Sequence, residues 1–382
     1  MTVPLDYGLL RFIWWALLGA LLIGFAVMDG FDLGTAILQP FVARSDADKR
    51  VLLNAVGPVW EGNQVWFVLG GGASFAAWPP LYAVSFSGFY LAMFLTLVAL
   101  ILRPVAFTFR SKVDHPTWRA VWDRAFFVAG LVPALIFGVA FGNLLLGVPF
   151  HLDDTLRVTY EGGLLGLLRP FAILSGLISI AMLAMHGGTY LALKTEGDLA
   201  ARAAEAGGWA ALALVLLFTL AGLWVAFGID GYAIEGHINP AGPSNPLAKS
   251  VVRETGAWLA NYGIHPWLIA APALGYLGAL GAALLLRIGW ALMAFIASGL
   301  SVAGVIATAG VSLFPFLLPS SSDPKSSLTV WDSSSSPLTL FIMLIATVLF
   351  LPLVVAYTGW VFSVLRGKVT AGDIEADKEH LY

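Results

Sequence analysis

The sequence has no cysteine among its 382 residues. This absence excludes disulfides, thiolate ligation of haem, cysteine-bound iron–sulfur clusters and thiol nucleophiles. Charged residues are also scarce, at 11%, whereas apolar residues make up 59% of the chain. Because a soluble domain cannot keep that much apolar surface away from water, the composition indicates an integral membrane protein.

The few charges are nearly balanced, with a formal net charge of −3. No strongly basic face is present, so nucleic acid is excluded as a partner. The first residues lack the basic region of a signal peptide, and the apolar run that follows has no small-residue cleavage site. We therefore expect that run to be retained as the first helix.

Long apolar runs fill most of the sequence. A helix needs about 20 apolar residues to cross a bilayer, and nine runs reach that length. The sequence therefore predicts an all-α integral membrane protein, a single polytopic domain over residues 1–382 with about nine transmembrane helices. The predicted spans are residues 12–42, 51–75, 78–102, 120–145, 171–193, 207–227, 266–286, 290–317 and 338–365.

The distribution of Lys and Arg predicts the orientation, because cytoplasmic loops retain positive charge. With the N-terminus outside and the C-terminus cytoplasmic, fourteen of the 20 basic residues lie inside and six lie outside. The three long loops, residues 147–170, 229–265 and 319–337, then all lie outside. The inside set is Arg44, Lys49, Arg50, Arg103, Arg110, Lys112, Arg119, Arg124, Lys194, Arg202, Arg287, Arg366, Lys368 and Lys378.

Three acidic residues lie well inside predicted spans, namely Asp29, Asp32 and Glu61. A charge at the bilayer centre costs about 3 kcal/mol or more, so such residues are usually functional. Asp29 and Asp32 share one helix face because they are three residues apart. Asp32 precedes Arg44 by about as many residues as Glu61 follows Arg50, which places both acids roughly 17 Å above the cytoplasmic end. We therefore expect antiparallel neighbouring helices to bring them together.

Polar residues accompany these acids, and three interpretations stay open. Asn63 and Gln64 follow Glu61, and Arg103 ends the third span. The first interpretation is an internal polar joint, in which Arg103 neutralises one acid and the two amides hydrogen-bond the rest. The second is a ladder that carries protons from the cytoplasm. The third is the site of an independent proton-coupled secondary transporter, although such proteins repeat their interrupted helices and residues 29–34 have no second copy.

Aromatic and histidine residues in the spans suggest cofactors more weakly. Trp60 and Trp66 flank the polar run and are the candidates for contact with a quinone ring. His186 lies inside the fifth span with Met182 one turn before it, and both residue types ligate haem. Because no other histidine lies well inside a span, and His380 is in the tail, a facing ligand is missing. We expect His186 to be a hydrogen-bonded core residue, and we expect no metal site in this chain.

Several scattered stretches resemble subunit II of cytochrome bd-type quinol oxidases from one end of the chain to the other. They include the intramembrane acids and the tryptophan-flanked polar run. The matching stretches are Arg11–Trp15, Asp29–Gly34, Trp60–Trp66, Phe75–Pro79, Ser87–Tyr90, Arg103–Val105, Gly228–Tyr232, Val251–Glu254, Gly256–Leu259, Phe314–Phe316 and Leu328–Asp332.

The resemblance implies two four-helix bundles plus one peripheral helix, in the cytoplasmic membrane of a bacterium. It implies a heterodimer with a haem-bearing subunit I, which holds two b-type haems and haem d, and no haem ligand in this chain. The complex would oxidise quinol and reduce dioxygen to water. A structural quinone, lipid and small single-span accessory subunits are further implied partners. We expect pairing with subunit I through the early helices, where Gly30, Gly34 and residues 70–72 permit close approach.

The resemblance also assigns a role to the intramembrane polar residues. Asp32, Glu61 and Arg103 match family positions in a proton path toward the oxygen-reducing haem, and Asp29, Asn63 and Gln64 accompany them. Familiar members have Asp at the position of Glu61, so this chain keeps the carboxylate but moves it one methylene outward. The implied function of the subunit is to stabilise subunit I and to conduct protons to it.

Overall fold

The computed structural model describes residues 3–376, a range that leaves out Lys378 and His380. Within that range, eight helical segments are long and apolar enough to cross a membrane. The predicted class, an all-α integral membrane protein, is therefore confirmed. The α-helices are α1 Tyr7–Met28, α2 Gly30–Val42, α3 Asp46–Val56, α4 Trp60–Ala77, α5 Pro79–Gly88, α6 Tyr90–Phe109, α7 Pro116–Leu146, α8 Pro170–Lys194, α9 Gly197–Phe227, α10 Ala260–Ile264, α11 Ala270–Arg287, α12 Ala291–Leu313, α13 Pro337–Val364 and α14 Ala371–Ala376.

The eight segments fall on eight of the nine predicted spans, and the span predicted over residues 51–75 is the one without a counterpart. The first three predicted spans are interrupted. The first is divided at Asp29 into α1 and α2, with the backbone of Asp29 still in the right-handed helical region. The second is divided into α3 and α4 at residues 57–59, where Pro58 lacks an amide hydrogen. Trp78 and Phe89 separate α4, α5 and α6. The helix that corresponds to the third predicted span is α6, which runs to Phe109 and does not end at residue 102.

The helices pack as two groups with α8 near the centre. Helices α8, α9, α11 and α12 form a closed bundle in which each contacts at least two others. In the second group α1 packs on α4, α2 on α7, and α6 on α7, while α2 also packs on α8. Helix α13 makes its main contacts with α1 and α4. This packing agrees with two four-helix bundles plus a peripheral helix.

The contact between α2 and α8 depends on glycine. A methyl group built on Gly30 would lie 2.9 Å from Leu183 Cδ2, and one on Gly34 would overlap the Leu183 carbonyl oxygen. The expectation that these two glycines face a partner subunit is therefore wrong, because α8 of the same chain occupies the space. Gly71 and Gly72 of α4, in contrast, have no neighbour within 4 Å on their open side.

The three long loops form small antiparallel strand pairs that lie together on one face of the helices. The Val148 amide donates to the Pro319 carbonyl at 2.9 Å, and the Leu152 amide donates to Ser326 Oγ at 3.0 Å. Arg11 of α1 is fully buried beneath these loops. The strands are β1 Phe150–Leu152, β2 Val158–Tyr160, β3 Asp230–Glu235, β4 Ser250–Thr255, β5 Phe316–Leu318 and β6 Leu328–Thr329, paired in that order.

Candidate functional site

An ion pair buried among the helices forms the centre of the candidate site. Arg103 of α6 donates from Nη1 to Asp29 Oδ1 at 2.7 Å, and both side chains are fully buried. Asp29 lies at the junction of α1 and α2, so the direction of its carboxylate depends on that junction. Two fully desolvated charges need close contact to offset the cost of leaving water. The pair therefore fixes α6 against the α1–α2 junction.

Arg103 also binds the start of α4. Its Nη2 donates to Gln64 Oε1 at 3.0 Å, and its guanidinium carbon lies 5.4 Å from the centre of the Trp60 ring. Asn63, the neighbour of Gln64, donates from Nδ2 to Asp32 Oδ2 at 2.9 Å. Two consecutive amides of α4 thus contact α6 on one side and α2 on the other.

Glu61 does not join this cluster. The expectation that neighbouring helices bring Asp32 and Glu61 together is wrong, because the residue of α4 that meets Asp32 is Asn63. Residues two apart on a helix point roughly 200° away from each other, since each adds about 100°. Glu61 accordingly lies on the exposed side of α4, opposite the buried Asn63.

The contacts of Arg103 and Asn63 are those of the polar joint that the sequence left open. Several buried polar atoms around them nevertheless have no hydrogen-bond partner among the described residues: Asp29 Oδ2, Asp32 Oδ1, Thr35 Oγ1 and Arg103 Nε. Buried polar atoms are normally bonded to protein or to ordered water. The cluster therefore retains hydrogen-bonding capacity beyond what its ion pair and amides use.

A row of buried polar side chains continues along α2 toward a second charged cluster. Asp29, Asp32, Thr35 and Gln39 recur every three or four residues, which places them on one helix face. Gln39 Nε2 donates to Asp123 Oδ1 at 3.0 Å. Sequence analysis missed Thr35, Gln39 and Asp123, although the helical spacing of the first two after Asp32 was a usable signal.

The second cluster lies where α2 ends and α7 begins, and we call it the lower cluster. Asp123 binds Lys49 Nζ at 2.9 Å and Arg110 Nε at 2.6 Å. Arg110 also binds Asp46 at 2.8 Å, and the side chains of Lys49 and Asp46 are partly exposed, at 30% and 45%. The row on α2 therefore connects a fully buried ion pair to one that reaches solvent.

The two candidate quinone contacts, Trp60 and Trp66, pack against different helices. Trp60 packs against Phe107 with a centroid distance of 5.8 Å and lies beneath Arg103. Trp66 covers Gly24 of α1, where an added methyl would lie 2.5 Å from Trp66 Cε3. Each ring thus packs against a different helix, Trp60 against α6 and Trp66 against α1.

His186 is a hydrogen-bonded core residue, as predicted. Its Nε2 lies 2.9 Å from the Val27 carbonyl oxygen and its Nδ1 lies 2.7 Å from Ser298 Oγ. The ring also stacks on Phe295 with a centroid distance of 4.8 Å. Among residues 3–376 no group of three His, Asp or Glu side chains is arranged to hold a metal ion.

Comparisons with known proteins cover nearly the whole chain. The family model described as cytochrome bd terminal oxidase subunit II matches residues 10–365. Cytochrome bd-I ubiquinol oxidase subunit 2 of Escherichia coli is 48% identical over 99% of this chain and 100% of its own length. A probable cytochrome oxidase subunit 2 of Haemophilus influenzae is 49% identical with the same coverage.

A solved structure with a similar fold is a chain of the bd oxidase from Geobacillus thermodenitrificans. The TM-score is 0.61, and the match covers 93% of this chain and 98% of that chain. At 17% sequence identity this likeness supports the fold alone.

Proposed function

Because the chain belongs to the cytochrome bd terminal oxidase subunit II family, we propose that it conducts protons through the membrane to a haem-bearing partner subunit. The chain is a multi-pass membrane protein and part of a quinol oxidase complex, an oxidoreductase. Membership of that family leaves no support for an independent transporter. The proposal concerns what this subunit contributes to the complex.

The observation that carries the proposal is the fully buried Asp29–Arg103 pair with Asp32 beside it. Charges inside a membrane are costly and are found mainly at ion and proton pathways. Asp29 and Asp32 each keep one oxygen with no partner in residues 3–376, which suits water-mediated proton transfer.

The route begins at the lower cluster, where the side chains of Lys49 and Asp46 reach solvent and Asp123 lies buried behind them. It passes Gln39 and Thr35 to Asp32 and Asp29 along one face of α2. Glu61, on the exposed side of α4, is the exit toward the partner subunit, and Asn63 connects α4 to Asp32. In this role Asn63, Gln64 and Arg103 orient the carboxylates, whereas Asp32 and Glu61 exchange protons.

The orientation follows the distribution of positive charge. The lower cluster contains Lys49 and Arg110, which the excess of basic residues assigns to the cytoplasmic side. The three strand pairs then face outward, with the N-terminus outside and the C-terminus inside. The route takes protons from the cytoplasm, which suits the reduction of dioxygen to water at a haem in the partner.

The cofactors belong to the partner in this proposal. Subunit I holds two b-type haems and haem d, and this chain stabilises it as a heterodimer. The Escherichia coli relative is named a ubiquinol oxidase, so we assign ubiquinol as the electron donor. A structural quinone near Trp60 or Trp66 and small single-span subunits complete the complex.

The proposal is tested with Asp32→Asn, which keeps the bond from Asn63 but cannot release a proton. Quinol-driven oxygen consumption, normalised to haem d, should fall at least about tenfold, or roughly 1.4 kcal/mol in barrier. Asp198→Asn, an exposed change in the first turn of α9, should leave turnover unchanged. Wild-type turnover in a fully assembled Asp32→Asn complex would contradict the proposal.

The exit is tested separately at Glu61. Glu61→Gln keeps size and hydrogen bonding but holds no exchangeable acid, so turnover per haem d should fall at least about tenfold. Glu61→Asp should keep substantial turnover because it retains the carboxylate. If Glu61→Gln is unaffected while Asp32→Asn is slow, protons leave the cluster by another residue.

A further inference from the structure

The junction between α1 and α2 has a bonding partner from a third helix. The last four carbonyls of a helix have no partner within that helix. Val27 lies in the last turn of α1, and its carbonyl accepts a hydrogen bond from His186 Nε2 of α8 at 2.9 Å. Asp29, two residues later, carries the carboxylate that binds Arg103.

The contacts of His186 fix which ring nitrogen carries hydrogen. A carbonyl oxygen can only accept, so Nε2 carries a hydrogen. In the neutral ring Nδ1 is then an acceptor. The Ser298 hydroxyl, 2.7 Å away on α12, donates to it when its single hydrogen points to Nδ1 and not to the Phe295 carbonyl oxygen at 2.8 Å. Thr189 Oγ1 lies 2.8 Å from Ser298 Oγ and continues this chain of hydroxyls. The ring is thus held at both nitrogens, each by a different helix.

The surrounding packing makes α8 a rigid support for this contact. Gly187 follows His186 directly, and a methyl group on Gly187 would lie 2.5 Å from the Thr35 amide nitrogen of α2. Phe295 stacks on the imidazole with an interplanar angle of 5°. The ring is therefore fixed against α1 and α12, and the backbone of α8 beside it is fixed against α2.

We propose that His186 is a positioning residue for proton transfer, which sets the direction of the Asp29 carboxylate by holding the Val27 carbonyl at the α1–α2 junction. Ser298 holds the ring in the required tautomer. His186 itself contacts neither carboxylate, so it acts through the backbone. This inference rests on the proposed proton route and adds a residue that the route does not include.

We expect the orientation that His186 gives to Asp29 to affect the pH dependence of turnover. The charged and titratable groups around Asp29 are Arg103 of α6 and Asp32 of α2, with Tyr190 of α8 close enough to sense the charge of Asp32. Asp123 of α7 lies farther along the row. If the Asp29 carboxylate rotates away from Arg103, its electrostatic interaction with each of these groups changes, and the pH dependence of turnover changes with it. A general loosening of the helix bundle has no such specific effect on the pH dependence.

The test compares four variants in the assembled, haem-containing complex. His186→Leu removes both ring contacts, and turnover per haem d should fall about fivefold or more, the equivalent of one buried hydrogen bond. The pH profile should also move by about one unit. The Gln side chain of His186→Gln can donate to Val27 and accept from Ser298, so the turnover and the pH profile of this variant should lie closer to wild type than those of His186→Leu.

Serine variants supply a matched pair on α12. Ser298→Ala keeps the imidazole but removes its orienting hydroxyl, so it should move the pH profile in the same direction as His186→Leu. Ser301→Ala, one turn later, removes a bond to the Gly275 carbonyl and should leave the profile unchanged. If the His186→Leu complex does not assemble, the two serine variants alone test whether His186 positions Asp29.

An unchanged profile in Ser298→Ala, or equal shifts in both serine variants, would overturn the positioning role. Failure of the proton route is distinguishable, because Asp32→Asn would then turn over at the wild-type rate. A slow Asp32→Asn with a wild-type profile in His186→Leu rejects the role of His186 alone.

Discussion

At the scale of single residues, buried charges on the loop side of the membrane are held as tightly as those inside it. Lys249 Nζ lies 2.8 Å from Asp332 Oδ2, with 3% and 7% of the two side chains exposed. The same ammonium donates to the carbonyls of Pro246 and Ser327 at 2.7 and 2.5 Å. One lysine therefore joins the loop after α9 to the loop before α13.

Lys249→Met should destabilise the loop face by about 3–5 kcal/mol, because it leaves the carboxylate of Asp332 buried without a counter-charge. Thermal unfolding of the purified complex measures the loss. Burial raises the pKa of Asp332, and Lys249 partly offsets the rise. Without Lys249 the penalty is present above the folded-state pKa of Asp332, and it is relieved as the pH falls through that value.

Two further variants complete this comparison. Adding Asp332→Leu to Lys249→Met should recover most of the stability, since no buried charge then remains. Lys325→Met changes an exposed lysine of the same loop and should have little effect. A Lys249→Met complex that melts with the wild type at neutral pH would show that the pair does not support the loops.

The individual site residues could be predicted only in part. Asp29, Asp32 and Arg103 were identifiable because a charge in an apolar run is conspicuous in the sequence. The rotation of α4 was not predictable, because its apolar residues surround the helix and give no amphipathic pattern. For that reason Asn63 and not Glu61 was found beside Asp32. The spacing of Thr35 and Gln39 after Asp32 indicated a shared helix face, but it could not indicate that this face leads to Asp123 on α7.

At the scale of helices, close backbone contact holds α2 against α8. Gly34 and Gly187 face each other across this contact, and neither has room for a methyl group. Glycine at such points allows more van der Waals contact between helices than any other residue. The contact keeps Asp32 and Thr35, two residues before and one residue after Gly34, at a fixed height against α8.

Gly34→Ala should lower the stability of the chain and the yield of complex, because the methyl group overlaps the Leu183 carbonyl. Overpacking of this kind costs about 1–3 kcal/mol. Gly222→Ala is the matched control, since Gly222 of α9 has no neighbour within 4 Å and alanine favours helix. Thermal unfolding of the two variants makes the comparison, and equal stability would mean that α2 and α8 separate at little cost.

Hydropathy predicted the long helices because lipid imposes the same requirement on every span. The helix interruptions were harder to predict. The break at residues 57–59 has a local cause in Gly57 and Pro58, whereas the junction at Asp29 is stabilised by Arg103 and His186 from helices far along the chain. Contacts of that kind exist only after folding, so no local pattern in residues 12–42 could indicate them.

At the scale of the whole molecule, one surface does not suit lipid. Helix α4 has 18 residues but is not among the eight segments apolar enough to span a membrane. Its exposed side carries Glu61, Gly62 and Gly72 together with Val68, which is 67% exposed. A carboxylate on a lipid-facing surface is costly, so we expect a protein partner to cover this side of α4.

Gly72→Trp tests whether that partner is the haem-bearing subunit. A Cβ added to Gly72 would have no neighbour within 4 Å, so a larger side chain can extend outward from the isolated chain but would separate a partner helix that packs there. The variant should reach the membrane in normal amount and lose the haem absorbance that purifies with the wild type. Gly222→Trp places the same ring on the exposed side of α9, where lipid accommodates it, and should retain the haem. Haem loss in both variants would point to a general defect, while full haem content in Gly72→Trp would place the partner elsewhere and leave Glu61 without a route to it.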